Sequence, residues 1–139
     1  MEGKVTWKQG LSFDGKASRG IVVPVGTSTE SGGEVDGFSP MELLLVGLAG
    51  CTAMDVISIL KKKQQDVVSF EVVANGERVN EHPKVFKQIT LEFIVTGHNV
   101  DFAAVQRAVE LSSTKYCSAE GMLGKVAEIE HKITIREAE

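Results

Sequence analysis

A single long helix is written into residues 39–60, and it limits what the rest of the chain can build. Ser39 is a good N-cap, Pro40 suits the first helical position, and Glu42 stands three residues after Ser39, completing a capping box. Apolar residues then run through Leu43, Leu44, Leu45, Val46, Leu48, Met54 and Val56 to Ile59 and Leu60. Such a helix is about 30 Å long at the standard rise. It is apolar nearly all round, which predicts a central helix buried on every side. Gly47 and Gly50 lie in its interior, where a glycine costs about 1 kcal/mol against alanine. The two glycines predict another backbone passing close by. A chain of 139 residues is expected to form one domain, residues 1–139. It offers little else to cover this helix, so a homodimer is expected.

The flanking segments read as strands and shorter helices. Val5, Trp7 and Gln9 alternate with Lys4, Thr6 and Lys8, the pattern of a half-buried strand. Leu11-Ser12-Phe13 reads as a second short strand, Asp14-Gly15 as a hairpin turn, and residues 20–25 as a third strand. Residues 26–38, rich in glycine and serine, form a polar loop long enough to carry function or mobility. Residues 67–73 and 84–96 are strands, joined by a turn-rich link from Asn75-Gly76 to His82-Pro83. Asp101 caps a helix from Phe102 to about Tyr116, with Ala104, Val105, Ala108, Val109 and Leu111 near its apolar face. Residues 118–124 form a short third helix, and residues 126–135 a closing strand. The expected order is β-β-β-α-β-β-α-α-β, an α+β fold with antiparallel sheets around long central helices.

Charge narrows the partners. The formal net charge is −4, from 15 basic and 19 acidic residues. That argues against nucleic acid or an anionic membrane, since either requires a basic face. The one basic run, Lys61-Lys62-Lys63, falls at the end of the long helix, where cations favour the dipole. The apolar stretch Leu43–Ala49 is too short to span a bilayer, and Met1-Glu2-Gly3-Lys4 opens no apolar signal region. A cytoplasmic location is expected, where stable structural disulfides are rare and thiols are either inert or redox-active.

Cys51 and Cys117 are the only cysteines. Their wide spacing excludes a CxxC redox turn and any short zinc motif. Two helices packed side by side would let the thiols meet, as a candidate peroxidatic and resolving couple. Inert core packing is the competing reading. Cys51 lies far beyond the first turn of its helix, so that helix's dipole does not activate it. Cys117 stands just ahead of the third helix, whose backbone N–H groups would favour a thiolate. Glu42 is explained by its cap, and Asp55 sets a negative charge one turn after Cys51. His82, His98 and His131 are scattered over turns and a strand, each read as a surface or satisfied histidine. Without a Cys/His spacing motif, neither a metal nor a cofactor is expected.

Four stretches together resemble a known family: Ser39-Pro40-Met41-Glu42-Leu43-Leu44-Leu45, Ala49-Gly50-Cys51-Thr52-Ala53-Met54-Asp55-Val56, Phe93-Ile94-Val95-Thr96-Gly97 and Lys115-Tyr116-Cys117-Ser118. They are similar to the OsmC/Ohr family, especially its YhfA-like branch. The resemblance implies an intertwined α+β homodimer with two active sites near the subunit interface. It implies reduction of a small organic hydroperoxide, with Cys51 peroxidatic and Cys117 resolving. It also implies a dithiol reductant, of lipoyl type in one branch. The sequence departs from the peroxidase pattern twice. Met41 stands where those branches carry a glutamate after the proline, with Glu42 one residue later and about 100° further round the helix. Gly10-Leu11-Ser12-Phe13 has no arginine where they carry one, although Arg19 is near in sequence. Two functional readings therefore stand. The cysteine pair favours a thiol peroxidase. The missing glutamate and arginine favour a binding or redox-sensing module with slow or inert thiols.

Overall fold

The computed structural model describes residues 1–139, which form two compact units, residues 1–44 and 45–139. In the first unit, β1 (Gly3–Gln9), β2 (Ser12–Ala17) and β3 (Val22–Val25) make an antiparallel sheet in the order β1-β2-β3. Asp14-Gly15 is not a turn. Asp14 pairs with Thr6 and Pro24, and Gly15 with Val5 and Val23, so both sit inside the middle strand. The reversals fall instead near Gly10 and Gly20, whose φ of 52° and 80° lie in the left-handed region. Pro24 is tolerated because β3 is an edge strand. The alternation in β1 does not produce a half-buried strand in the single chain: Val5 and Trp7 remain 62% and 64% exposed.

The polar loop is tied down rather than slack. Gly26 N donates to Phe38 O at 2.9 Å, and Phe38 N donates to Pro24 O at 3.0 Å. Buried Ser12 donates to Asp36 Oδ2 at 2.6 Å. Gly37 is required by this close approach, since a Cβ there would lie 2.6 Å from the carbonyl carbon of Pro24.

Helix α1 (Pro40–Lys62) begins with the capping box. Glu42 N donates to Ser39 Oγ at 3.2 Å, and Ser39 N to Glu42 Oε1 at 3.4 Å. The helix is not buried all round. Leu48, Thr52, Val56 and Leu60 make one buried stripe, while Leu44, Val46 and Met54 are exposed. No neighbouring atom lies within 4 Å of a Cβ built on Gly47 or Gly50, so no backbone of this chain passes them. The helix is also longer and more apolar than Leu43–Ala49 alone suggested. Its best 18-residue window has a mean hydropathy of 2.1, enough by length and composition to cross a membrane. Only 22% of that window is buried, and within it Thr52 and Asp55 are hydrogen-bonded to Ser112.

In the second unit, β4 (Asp66–Arg78), β5 (Phe86–His98) and β6 (Glu128–Glu137) form a sheet in the order β4-β5-β6. β4 and β5 are antiparallel, but β5 and β6 are parallel, which corrects the expectation of purely antiparallel sheets. A parallel pair needs a long crossover. Helix α2 (Phe102–Leu111), a π-helical turn (Ser112–Tyr116) and helix α3 (Ser118–Leu123) provide it. Asp101 caps α2 as expected, accepting from Ala103 N at 3.1 Å. The core alternates along central β5 through Ile89, Leu91, Phe93 and Val95, and continues in Ala104, Val105, Ala108 and Val109 of α2. Asn75-Gly76 lies within β4 rather than in a turn, and a Cβ on Gly76 would lie 2.5 Å from the ring of Phe86.

Two glycines in this unit should respond oppositely to alanine. A Cβ on Gly97 would overlap the Asp66 carbonyl oxygen and press on Val100. Gly97→Ala should therefore destabilise by about 1–3 kcal/mol, the usual range for overpacking. Gly121 in α3 has open space around it. Gly121→Ala should stabilise by up to about 1 kcal/mol through helix propensity. Urea unfolding of the two variants checks both signs.

Candidate active site

Cys51 sits midway along α1, beside Thr52 of the buried stripe, and is half-buried. Cys117 is 5% exposed and follows the π-helical turn in extended backbone, with φ −77° and ψ 102°. That turn arises where α2 widens. Cys117 N donates back to Ser112 O at 2.8 Å, and Thr114 Oγ1 to Glu110 O at 2.7 Å. A hydroxyl bonding back to a carbonyl one turn earlier is a common cause of local bending. Cys117 then caps α3, its Sγ accepting from Glu120 N at 3.3 Å.

The fold brings the two thiols near each other: Cys51 is close enough to raise the pKa of Cys117. The expected activation of Cys117 by the α3 N-terminus is overturned. Burial pushes its pKa up to about 12, and the Glu120 N–H contact opposes this without winning. The neighbouring Cys51 thiol and the charge of Glu120 push the same way as burial. At neutral pH Cys117 is a protonated thiol.

Around the pair stand polar groups that the sequence did not single out. Glu120 is buried, and its Oε1 accepts from Ser113 Oγ at 2.9 Å and pairs with His131 Nε2 at 2.6 Å. Burial alone would raise the Glu120 pKa. The hydrogen bonds from His131 and Ser113, with the charge of His131, outweigh it and hold the carboxyl below its usual range. Glu120 Oε2 is buried with no partner. An open cleft of about 400 Å³, lined by Ser113, Glu120, Lys125, Glu128 and His131, lies on this side. His131 is thus satisfied, by a partner that no local signal names. The only hint in the sequence is a glutamate three residues after Cys117.

Two further hydroxyls were also missed. Thr52 Oγ1 and Ser112 Oγ lie 2.7 Å apart, both essentially fully buried, and Ser112 Oγ donates to Asp55 Oδ2 at 2.8 Å. Asp55, expected only as a charge near Cys51, is thereby engaged by Ser112. His98 pairs with Asp66 at 3.0 Å and His82 is exposed, so neither joins the thiols. Glu42 serves the helix cap, and Arg19 is exposed in the turn after β2.

Comparison with known proteins agrees with this arrangement of strands and helices. Residues 31–132 match the OsmC-like protein family model. The chain belongs to the OsmC family. It is 44% identical over 135 residues to Protein YhfA of Escherichia coli strain K12, covering 97% of this chain and 98% of that one. It is also similar to the crystal structure of a hypothetical protein from Aquifex aeolicus VF5, with TM-score 0.87 and 30% identity over 99% of this chain and 97% of that one. The fold is shared with the organic hydroperoxide resistance protein OhrB of Bacillus subtilis, at TM-score 0.66 and 16% identity over 96% of this chain and 98% of that one.

The two thiols should react very differently with an alkylating agent. At pH 8 a thiol with a pKa near 12 is only about 10⁻⁴ thiolate, and Cys117 is buried besides, whereas Cys51 is half-buried and within reach of the reagent. Iodoacetamide at pH 8 should therefore modify Cys51 in the native protein and spare Cys117. Denaturation should release Cys117 to ordinary reactivity. Peptide mass spectrometry showing equal labelling of both in the native state would contradict the burial argument.

Proposed function

We propose that this chain reduces organic hydroperoxides through its thiols, with Cys51 attacking and Cys117 resolving. One observation carries the reading: the only two cysteines, remote in sequence, stand close enough in the fold for Cys51 to perturb the Cys117 thiol. The division of roles is supported by their environments. Cys51 is half-buried and approachable by a small peroxide, whereas Cys117 is buried and protonated.

In the first step Cys51 sulfur attacks an oxygen of the O–O bond. An S–O bond forms, the O–O bond breaks, and the alkoxide leaves as an alcohol after taking a proton. Cys51 becomes a sulfenic acid. In the second step Cys117 sulfur attacks Cys51 sulfur. The S–S bond forms, the S–O bond breaks, and the hydroxide takes the Cys117 proton and leaves as water. Two thiols are oxidised by two electrons and one peroxide is reduced. Burial still opposes ionisation of Cys117, but its interactions with the Cys51 thiol end once Cys51 is oxidised. A dithiol of the lipoyl type, acting in the cytoplasm, would return the pair to the reduced state.

A second reading has its own support. With Met41 and Glu42 as they stand and no arginine at residues 10–13, the chain would be a redox-sensing or binding module with slow thiols. Stopped-flow consumption of an organic hydroperoxide decides between them. On the first reading, Cys51→Ser abolishes turnover and Cys117→Ser completes one turnover and stalls. If the wild type consumes no hydroperoxide, or Cys51→Ser retains wild-type activity, the peroxidase reading fails.

We also propose that the working form is a homodimer. Exposed Leu44, Val46 and Met54, open space over Gly47 and Gly50, and exposed Val5 and Trp7 leave apolar surface that a second copy would cover. Sedimentation at micromolar concentration should give one species at twice the 15.0 kDa chain mass. A persistent folded monomer would rule out an obligate dimer.

A further inference from the structure

We propose that Ser112 is a positioning residue for the thiol pair, holding the turn that presents Cys117 against the turn of α1 that presents Cys51. This rests on the proposed use of the two cysteines as a disulfide-forming couple.

Ser112 is the one residue bonded to both sides. Its carbonyl oxygen accepts from Cys117 N at 2.8 Å, fixing the π-helical turn that ends at Cys117. Its hydroxyl reaches across to α1, 2.7 Å from Thr52 Oγ1 and 2.8 Å from Asp55 Oδ2. Thr52 is the residue after Cys51, and Asp55 lies one turn further on the same helix. A serine hydroxyl has one proton to give. Ser112 donates that proton to the acceptor-only carboxylate of Asp55, so the Thr52 hydroxyl must donate to Ser112. The chain of bonds therefore has one direction, Thr52 to Ser112 to Asp55, and ends on a charged acceptor, which makes it strong.

Burial makes the bridge obligatory. Ser112 is 0% and Thr52 1% exposed, so water does not replace a lost partner. Sliding α1 against the turn would strand at least one of these hydroxyls. The consequence for the thiols is geometric. Disulfide closure needs the two Cα atoms within about 7 Å and a specific torsion. Misplacement by about 1 Å slows reactions of this kind by about 100-fold. A contact beside one thiol that also fixes the backbone of the other is placed to prevent that misplacement.

The test does not depend on peroxide chemistry. The reduced full-length protein is mixed with glutathione disulfide, and intact-mass spectrometry follows two thiol–disulfide exchanges. Cys51 first forms a mixed disulfide and releases one glutathione. Cys117 then attacks Cys51 sulfur, closing the Cys51–Cys117 disulfide and releasing the second glutathione. In the wild type the mixed disulfide should close without accumulating. In Ser112→Ala it should accumulate, with closure slowed at least about 10-fold and the first exchange within about twofold of wild type. Thr52→Val, which keeps the side-chain shape and removes only its hydroxyl, should slow closure in the same direction and decides the matter if Ser112→Ala does not fold. Val105→Ala, a cavity at a fully buried α2 position, lowers stability without touching the bridge and should close at the wild-type rate.

Closure at the wild-type rate in Ser112→Ala and Thr52→Val overturns the inference. So does equal slowing in Val105→Ala, and so does a wild type that yields no Cys51–Cys117 disulfide. A wild type that closes the disulfide but consumes no hydroperoxide overturns the proposed peroxidase while leaving the role of Ser112 intact.

Discussion

The stripe of α1 that the chain covers governs the geometry of the site. Leu48, Thr52, Val56 and Leu60 recur every four residues and are the buried positions of the helix. Each residue advances about 100° round the axis. Cys51, one step before Thr52, therefore falls at the edge of the covered stripe. A fully covered cysteine would be sealed from a peroxide, and one on the opposite face would never meet Cys117. The half-buried state of Cys51 and its nearness to a buried partner have the same origin.

The stripe carries one polar residue, which shapes what lies opposite. Thr52 is buried, and a buried hydroxyl without a partner costs about 1–3 kcal/mol. Ser112 supplies the partner and is itself satisfied by Asp55. The widening of the helix after Leu111 follows on the same side, with Cys117 N reaching Ser112 O across five residues. π-helical turns are frequent at functional sites because they re-aim the residues that follow them. Here the residue that follows is the second cysteine.

Electrostatics then sets the Cys117 thiol in the opposite sense to the one its place ahead of α3 suggests. Burial dominates at Cys117, and the carboxylate of Glu120 adds to it. Glu120 stays ionised in its buried position because His131 and Ser113 bind it. A residue on the last strand thus influences a thiol on the crossover, and His131 and Glu120 line a cleft open to solvent.

The sequence by itself determined features that reside in contacts of four residues or fewer. The capping box at Ser39 and Glu42, the Asp101 cap and the alternation along β5 are all of that kind, and the structure contains each. The family was legible as well, because the residues around both cysteines are unbroken local motifs. Tertiary structure decided the rest. Asp14-Gly15 and Asn75-Gly76 are strong local turn signals, yet ladder pairing on both sides of the first and Phe86 packing on the second keep them in strands. The parallel placement of β6, the Glu120–His131 pair and the Thr52–Ser112–Asp55 chain join residues far apart in sequence. No short-range pattern encodes them. Only the burial that closes the fold makes an unpaired hydroxyl or carboxylate costly enough to select its partner.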